Sequence, residues 1–309
     1  MKSVKVLSLN ISEKKGIIKS PVGQFMINMD GIIGDAHAGT KNRQVSLLGQ
    51  NSIDKFEAAT GRGINFGDFA ENITLDLMPE TIAPLDCFEA KGIQLQVSQI
   101  GKKCHGTNCA IYTETGDCIM PKEGIFCKVL SGGELIVSDE LIYNPKVFNI
   151  QIITLSDRAS VGEYKDLSGF EIRKLMNTFM EENKRKCNIT NQLIPDEKEI
   201  LKNYILQIVE HKPDIIFTTG GTGIGPRDIT PDVLRPMLDK EIPGIMEFIR
   251  LKYGAENPRA LLSRSIAGII GQTLVYCLPG SVKGVKEYLV EIQKTIIHSI
   301  YMLNGLDIH

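Results

Sequence analysis

The sequence predicts two domains of different class: a mainly β, barrel-like domain over residues 1–145, and an α/β domain over 146–309 with three layers and a mostly parallel sheet. Three observations predict this. A chain of 309 residues is long for one core and comfortable for two. Residues 1–143 carry many short apolar runs broken by glycine, the pattern of strands joined by frequent turns. After "YNPKVFN" the rhythm changes to strand-like runs alternating with helix-like ones, which implies parallel strands covered on both faces.

In the first half, strands are expected at "VKVLSLNI", "RQVSLLG", "ENITLDL", "IQLQVSQIG" and within "IFCKVLSGGELIVSDELI". "QNSIDKFEAATG" has helical spacing, with Gly61 as its stop. Asn144-Pro145 favours a turn and marks the boundary. In the second half "FNIQIITLS" is a buried strand, and "SGFEIRKLMNTFMEEN" a helix with Ser168 as N-cap and Glu171 three residues on. "NITNQLI" is a strand, "DEKEILKNYILQIVEH" a helix, and "PDIIFTTG" a strand that runs into a glycine loop. "QTLVYCLPG" and "VKGVKEYLVEIQKTIIHSIYML" complete the order as a strand and a long closing helix.

Composition narrows the function class. Hydrophobic residues make up 42% and charged residues 23%, ordinary for a soluble globular protein. A formal net charge of -2 gives no bulk attraction to nucleic acid or to membranes. No apolar run reaches the ~20 residues of a membrane span, and the opening "MKSVKVLSLNISEKKG" is too interrupted for a signal peptide. The expected location is the cytoplasm. There the seven cysteines are free thiols, metal ligands or redox groups rather than disulfides.

The densest signal is "TTGGTGIGPRDITPD", with four glycines between Gly220 and Gly225. It lacks the lysine of a P-loop, and Gly225-Pro226 breaks the dinucleotide fingerprint. Its exposed N–H groups still suit an anion. A helix expected at Thr230-Pro231, with the threonine as N-cap, would present its positive end to a phosphate. Asp228 follows the glycines closely, and a carboxylate beside phosphates calls for a cation such as Mg²⁺ between them. Asp196, at another strand end, supplies a second carboxylate; its plainer reading is an acid at a helix start. Arg227 adds positive charge or forms a salt bridge.

"ITLSDRAS…YKDLSG", "LIPDE", "TTGGTGIGPRDITPD", "LLSR" and "LPGS" occur in that order. Together they resemble the MogA/MoaB-type molybdopterin-binding domain, shared with gephyrin, over residues 147–309. The resemblance implies the molybdopterin-binding fold, a trimer, and molybdopterin adenylyltransferase activity: AMP passes from ATP to the terminal phosphate of molybdopterin and pyrophosphate leaves. It implies Asp196 and Asp228 as catalytic aspartates and Mg²⁺ ligands. It implies Ser156, Asp157, Asp166, Gly220, Gly221, Thr222, Gly223, Ser263 and Ser281 as residues lining the pterin and nucleotide site. The chemistry needs no side-chain nucleophile, because a phosphate monoester already is one.

In the first half, "GIIGDAHAG", "NRQVSLL", "FGDFAENIT" and "IGKKCHGTNC" resemble in order the MOSC domain, over about residues 4–141. That resemblance implies a β-barrel-like fold and molybdenum-cofactor or sulfur handling, with Cys104 as the signature cysteine and a molybdenum ligand. Lys102, Lys103 and His105 flank Cys104 and favour its thiolate, a soft metal ligand and an acceptor of transferable sulfur. His37 and Arg43 line an anionic cofactor pocket, or else bond loops together. A second reading makes Cys104, His105, Cys109 and Cys118 a structural zinc or iron–sulfur site. Cys87, Cys187 and Cys277 are expected as small buried apolar residues.

The expectation is therefore an enzyme of molybdenum cofactor biosynthesis that takes molybdopterin and Mg-ATP, with the cofactor itself at the MOSC domain and other proteins of that synthesis as partners. The alternatives are a non-catalytic molybdopterin carrier and a nucleotide pyrophosphate hydrolase.

Overall fold

The computed structural model describes residues 2–103, 112 and 117–306. The chain divides into two compact units, one running through Lys146 and the other Val147–Gly305. Among the described residues, no helix is long and apolar enough to cross a membrane.

Unit 1 contains β1 (Lys2–Ile11), β2 (Ser20–Val22), β3 (Gln24–Asn28), β4 (Gly31–Ile32), β5 (Val45–Gly49), α1 (Gln50–Thr60), β6 (Ile73–Leu75), β7 (Cys87–Ala90), β8 (Ile93–Ile100), α2 (Met120–Glu123), β9 (Ile125–Ser131), β10 (Gly133–Ile136) and β11 (Glu140–Asn144). The order β11-β7-β8-β9-β5-β6-β1 closes on itself, because β1 also pairs with β11. Closure leaves no free edge in that ring. β10, β3 and β4 form a small separate sheet. Alternation sets the two sides of the barrel wall. Val45, Leu47, Val97, Cys127 and Val129 enter the barrel core. Leu48 and Phe126 point out, into a second cluster with Ile53 and Phe56 of α1, Phe69 and Met120. Both faces of β5 are buried, and Ser46, its one polar side chain, is bonded to Asn72. α1 stops where Gly61 turns left-handed at φ 69° and returns its N–H to Glu57 O.

Unit 2 contains β12 (Val147–Leu155), α3 (Asp157–Ser160), α4 (Leu167–Glu182), β13 (Lys186–Ile194), α5 (Lys198–Val209), β14 (Ile215–Thr219), α6 (Thr230–Leu234), β15 (Lys240–Glu241), α7 (Pro243–Gly254), β16 (Ala267–Ile270), β17 (Thr273–Leu278) and α8 (Val282–Leu303). Its sheet runs β13-β12-β14-β17-β16-β15. The first four strands are parallel, and β16 and β15 follow antiparallel. One face packs Ile153, Leu155, Ile216, Val275 and Cys277 against Leu201, Ile205 and Ile208 of α5. Alternation turns Ile152, Phe217 and Tyr276 to the opposite face, where α4 and α8 pack together. Phe217 and Tyr276 stack there at 5.5 Å between ring centres.

Several local expectations change. The N-cap of α4 is Asp166, not Ser168: its carboxylate accepts from Gly169 N and is held in place by Thr154 Oγ1 of β12. Thr230 does not cap α6, whose N-cap residue Ile229 makes no side-chain bond; α6 is also only five residues long, so little dipole is aligned there. Cys277 is buried as expected, but Cys87 and Cys187 are only partly so.

Phe217 is completely buried, and Phe170, on α4, is 62% exposed. Phe217→Ala should destabilise unit 2 by about 3–5 kcal/mol, whereas Phe170→Ala should stay within about 0.5 kcal/mol. Urea unfolding followed by circular dichroism checks both values.

Candidate functional site

The ends of the four parallel strands lie side by side. The ladder pairs Leu155 with Ile194, Thr154 with Thr219, and Thr219 with Leu278. The loops that begin at Ser156, Pro195, Gly220 and Pro279 therefore leave the sheet at one edge, where open α/β sheets bind ligands.

Gly220 and Gly221 have φ of 105° and 61°. A Cβ on Gly220 would stand 2.3 Å from Leu155 O, so only glycine lets the loop lie this close to the strand end. The loop's carbonyl groups are held from behind. Thr230 Oγ1 donates to Gly220 O at 2.8 Å and Thr230 N to Gly221 O at 3.1 Å. Arg264 N donates to Thr222 O at 2.8 Å, its Nε to Gly223 O at 2.7 Å, and its guanidinium also bonds Asp228 O. The opposite side of the peptides is left open. Among the described residues, the N–H groups of Gly221, Thr222, Gly223 and Ile224 have no protein acceptor.

Two carboxylates border these donors. A Cβ on Gly221 would lie 3.3 Å from Asp196 Oδ1, and one on Gly223 only 2.7 Å from Asp228 Oδ2. The glycines thus clear the space in front of both acids. Asp228 Oδ2 also accepts from Gly225 N at 2.8 Å. Two carboxylates beside open N–H groups fit Mg²⁺, which is commonly held by one or two acids together with substrate phosphates. No cluster of three His, Cys, Asp or Glu ligands occurs among the described residues.

Asp157 and Asp196 clasp each other. Asp157 N donates to Asp196 Oδ2 at 3.0 Å, and Asp196 N to Asp157 Oδ1 at 2.9 Å. Arg227 closes the group, its Nε and a terminal nitrogen reaching Asp157 Oδ2 at 3.0 and 2.6 Å. The Arg227 guanidinium holds the Asp157 carboxyl below its usual range. Burial pushes Asp196 the other way, and the charges of Asp157 and Asp228 add to the rise against the Asp157 N–H bond and Arg227.

Two cavities flank the loop after β17. One, of ≈ 200 Å³, is lined by residues that include Ser156, Tyr164, Asp166 and Gly280. The other, of ≈ 240 Å³, is lined by residues that include Asn257, Ser263, Ser281, Lys283, Glu287 and Tyr288. Ser156 caps α3 and bonds Tyr164 OH at 2.7 Å; Ser281 caps α8; Ser263 bonds Ser265 at 2.9 Å. The Asp166 carboxylate is occupied by Thr154 Oγ1, Ser168 Oγ and Gly169 N, so its main task is to fix the wall. Sequence reasoning missed Tyr164, Lys283, Glu287 and Tyr288, and also Arg264 as the buttress, although "LLSR" contains it. Tyr288 is nearly buried and its hydroxyl has no partner, a feature that only three-dimensional packing reveals.

In unit 1, Asp35 lies completely buried and accepts from Ser12 N, His37 N, Asn72 Nδ2 and the Lys19 ammonium. Burial opposes its ionisation, but the bonds from His37 and Lys19 outweigh it and hold the carboxyl below its usual range. His37 Nδ1 stands 3.3 Å from Asp35 Oδ1. Arg43 Nε donates to Gln99 Oε1 at 2.9 Å. Cys104, His105 and Cys109 lie outside the described residues; Cys118 is partly buried.

Comparison with known proteins agrees with these two units. The family model described as "Probable molybdopterin binding domain" matches residues 151–298, and the MOSC domain model matches 34–142. Molybdopterin adenylyltransferase of Helicobacter pylori J99 is 31% identical over 161 residues, 52% of this chain and 90% of the relative. The chain belongs to the MogA/MoaB family. A MOSC domain precedes its MogA/MoaB domain. Gephyrin of Dictyostelium discoideum is 40% identical over 162 residues, half of this chain but only 22% of the gephyrin. The match to the molybdenum cofactor synthesis protein cinnamon of Drosophila melanogaster likewise spans 25% of that protein. Among solved structures, the MoaB of Thermus thermophilus is 36% identical and covers 51% of this chain and 97% of its own, with a TM-score of 0.47.

The acid cluster of the MogA/MoaB domain makes a pH-dependent prediction. A carboxyl whose folded pKa is raised loses stability for the fold as pH rises from its unfolded value through its folded one. Asp196→Asn should therefore stabilise the metal-free protein at neutral pH, and the gain should vanish at acid pH, where the wild-type carboxyl is protonated. Thermal melts across pH without added Mg²⁺ check the sign. Asp157→Asn should show the reverse trend, because its pKa is depressed.

Proposed function

We propose that unit 2 transfers AMP from ATP to the terminal phosphate of molybdopterin, as a step of molybdenum cofactor synthesis. The observation that carries this reading is the glycine loop: four N–H groups without protein acceptors, bordered by two carboxylates that glycines leave uncovered. A phosphate oxygen of molybdopterin attacks the α-phosphorus of ATP; the new P–O bond forms as the bond to the β-phosphate breaks, and pyrophosphate leaves. The protein's work is to hold two anions together and to take up charge where it develops. The N–H groups of residues 221–224 donate to phosphate oxygens, and Arg264 keeps their peptides turned outward. Asp196 and Asp228 would hold Mg²⁺, which neutralises phosphate charge and favours departure of pyrophosphate. The two cavities on either side of the loop after β17 suit a reaction of two substrates.

The proposal for unit 1 is cofactor or sulfur handling through Cys104, with His37 and Arg43 lining the pocket. The domain boundary is placed at 145/146, the working form is a trimer, and the location is the cytoplasm; the family resemblance supports the trimer.

Pyrophosphate release on mixing the full chain with molybdopterin and Mg-ATP tests the reaction. A carrier binds molybdopterin without releasing pyrophosphate, and a hydrolase produces free AMP without a pterin adduct; either result replaces this reading. Asp228→Asn should slow release by roughly a hundredfold or more while molybdopterin affinity without ATP changes little. Asp196→Asn should behave similarly, and the two losses should be non-additive. Turnover across a Mg²⁺ titration checks all three variants. Cys104→Ser should remove persulfide or cofactor retention by unit 1 and leave adenylyl transfer near wild type. Mass spectrometry of bound species, beside the release assay, separates the two effects.

A further inference from the structure

A sheet that ends in an unpaired strand offers a row of free N–H and C=O groups, and proteins usually blunt such an edge. Most edges of this chain are blunted. The ring of unit 1 closes, and β2 beside it has three residues and includes Pro21. The small sheet of unit 1 ends in β4, of two residues, and β10, of four. The sheet of unit 2 ends on one side in β15, the charged pair Lys240 and Glu241. On the other side it ends in β13, which is nine residues long. β13 has no proline, no register shift against β12, and one charged residue, Lys186. Among the described residues it is the one long edge left bare.

One bond fixes which peptide groups face out. Ile194 O accepts from Ser156 N, just past the end of β12. In a parallel pair the N–H and C=O of one residue point to the same side, and the side alternates along the strand. Lys186, Asn188, Thr190, Gln192 and Ile194 therefore turn their peptide groups to β12. Cys187, Ile189, Asn191 and Leu193 turn theirs to the open edge. The side chains of this second set lie on the α4 side: Cys187 Sγ donates to Asn177 Oδ1 at 3.6 Å, and Arg173 Nε donates to Asn191 Oδ1 at 2.9 Å. Asn188 and Thr190 lie on the opposite face, bonded to Asn149 and Gln151 of β12. Lys186, Asn188, Thr190 and Gln192 are all exposed.

We propose that β13 is an assembly edge whose occupant is β13 of a second copy of this chain, antiparallel about a two-fold axis at Thr190. In that register Ile189 faces Asn191 and Cys187 faces Leu193, so every outward peptide group of one copy meets one from the other. Thr190 stands opposite its own copy in a close, non-hydrogen-bonded pair, and Asn188 stands opposite Gln192. Pairs of hydroxyls and of amides at these positions bond across strands. Charge selects the direction. Lys184 and Lys186 are exposed at the start of β13, and Glu197 is exposed just beyond its end. Antiparallel pairing brings the basic start of one copy to the acidic end of the other, whereas parallel pairing in register sets Lys186 against Lys186. A two-fold contact closes on itself. It joins two single chains, or two of the trimers proposed above. The pairing is independent of adenylyl transfer and of Cys104.

The test is sedimentation of the full chain over a range of concentrations. Wild type is expected to show a mass of two chains or of six, with the paired species favoured as concentration rises. Thr190→Lys sets two like charges opposite each other at the axis, the device that blunts natural edges. It should halve the mass and leave the far-ultraviolet circular dichroism unchanged. If that variant melts early, Thr190→Cys carries the test. Its introduced thiols face each other across the axis, and oxidised glutathione should join them in a disulfide between chains, identified by mass spectrometry of the linked peptides. Asn188→Cys, which faces Gln192, should not link to itself. An unchanged mass in a folded Thr190→Lys, no link in Thr190→Cys, or an equal link in Asn188→Cys overturns the pairing. A wild-type mass of one or three chains also overturns it, and leaves the edge open to a strand of another protein.

Discussion

Everything at the unit 2 site depends on one alignment: four parallel strands that end level with each other. Parallel pairing brings chain segments far apart in sequence to the same edge, and it does so with their directions matched. Asp157, Asp196, the glycine loop and Ser281 each follow a different strand, so none is near another in sequence. Once the ends align, short-range bonds finish the work. Asp157 and Asp196 join through reciprocal N–H bonds, Arg227 ties them to the third loop, and Gly280 packs against Gly220.

The cost of this convergence is electrostatic. Burial and the charges of Asp157 and Asp228 raise the proton affinity of Asp196, and Arg227, which bonds Asp157, offsets part of that charge. Burial deepens the penalty for Asp196. A fold selected for stability alone has no reason to gather acids there. The same logic separates the two units. In unit 1 the buried carboxylate Asp35 is fully matched by Lys19, which makes that pair part of the architecture. Outside it, Arg43 and Lys102 have no acidic partner among the described residues.

Much of this was legible in sequence because the signals were local. The apolar runs located β1, β5, β8, β12, β14 and β17, and the 3.6-residue period traced α8 over its whole length. The motif order identified both domains. The parts that could not be read have physical causes. Ser168 and Asp166 are both competent caps, and the choice between them rests on Thr154 reaching Asp166 from β12. Thr230 looks like a cap but is pulled inward to Gly220 O by a loop ten residues away. Lys19 shows no sign in sequence of being buried; its burial follows from the buried Asp35 carboxylate that its ammonium meets. Arg264 belongs to a quoted motif, yet its role as a staple across the carbonyl side of the glycine loop needed coordinates.

The loop between β17 and α8 belongs to both cavities: Gly280 and Val282 wall one, and Pro279, Ser281 and Gly284 wall the other. A shared wall is a thermodynamic link. A ligand that shifts this segment when it enters one cavity changes the affinity of the other, and linkage requires the second ligand to act on the first by the same factor. Ser281 fastens the segment to the first turn of a 22-residue helix, so it moves with α8 or hardly moves at all. A stiff partition between two chambers favours additive occupancy, and a partition that slides with its helix turns the filling of one chamber into a message for the other.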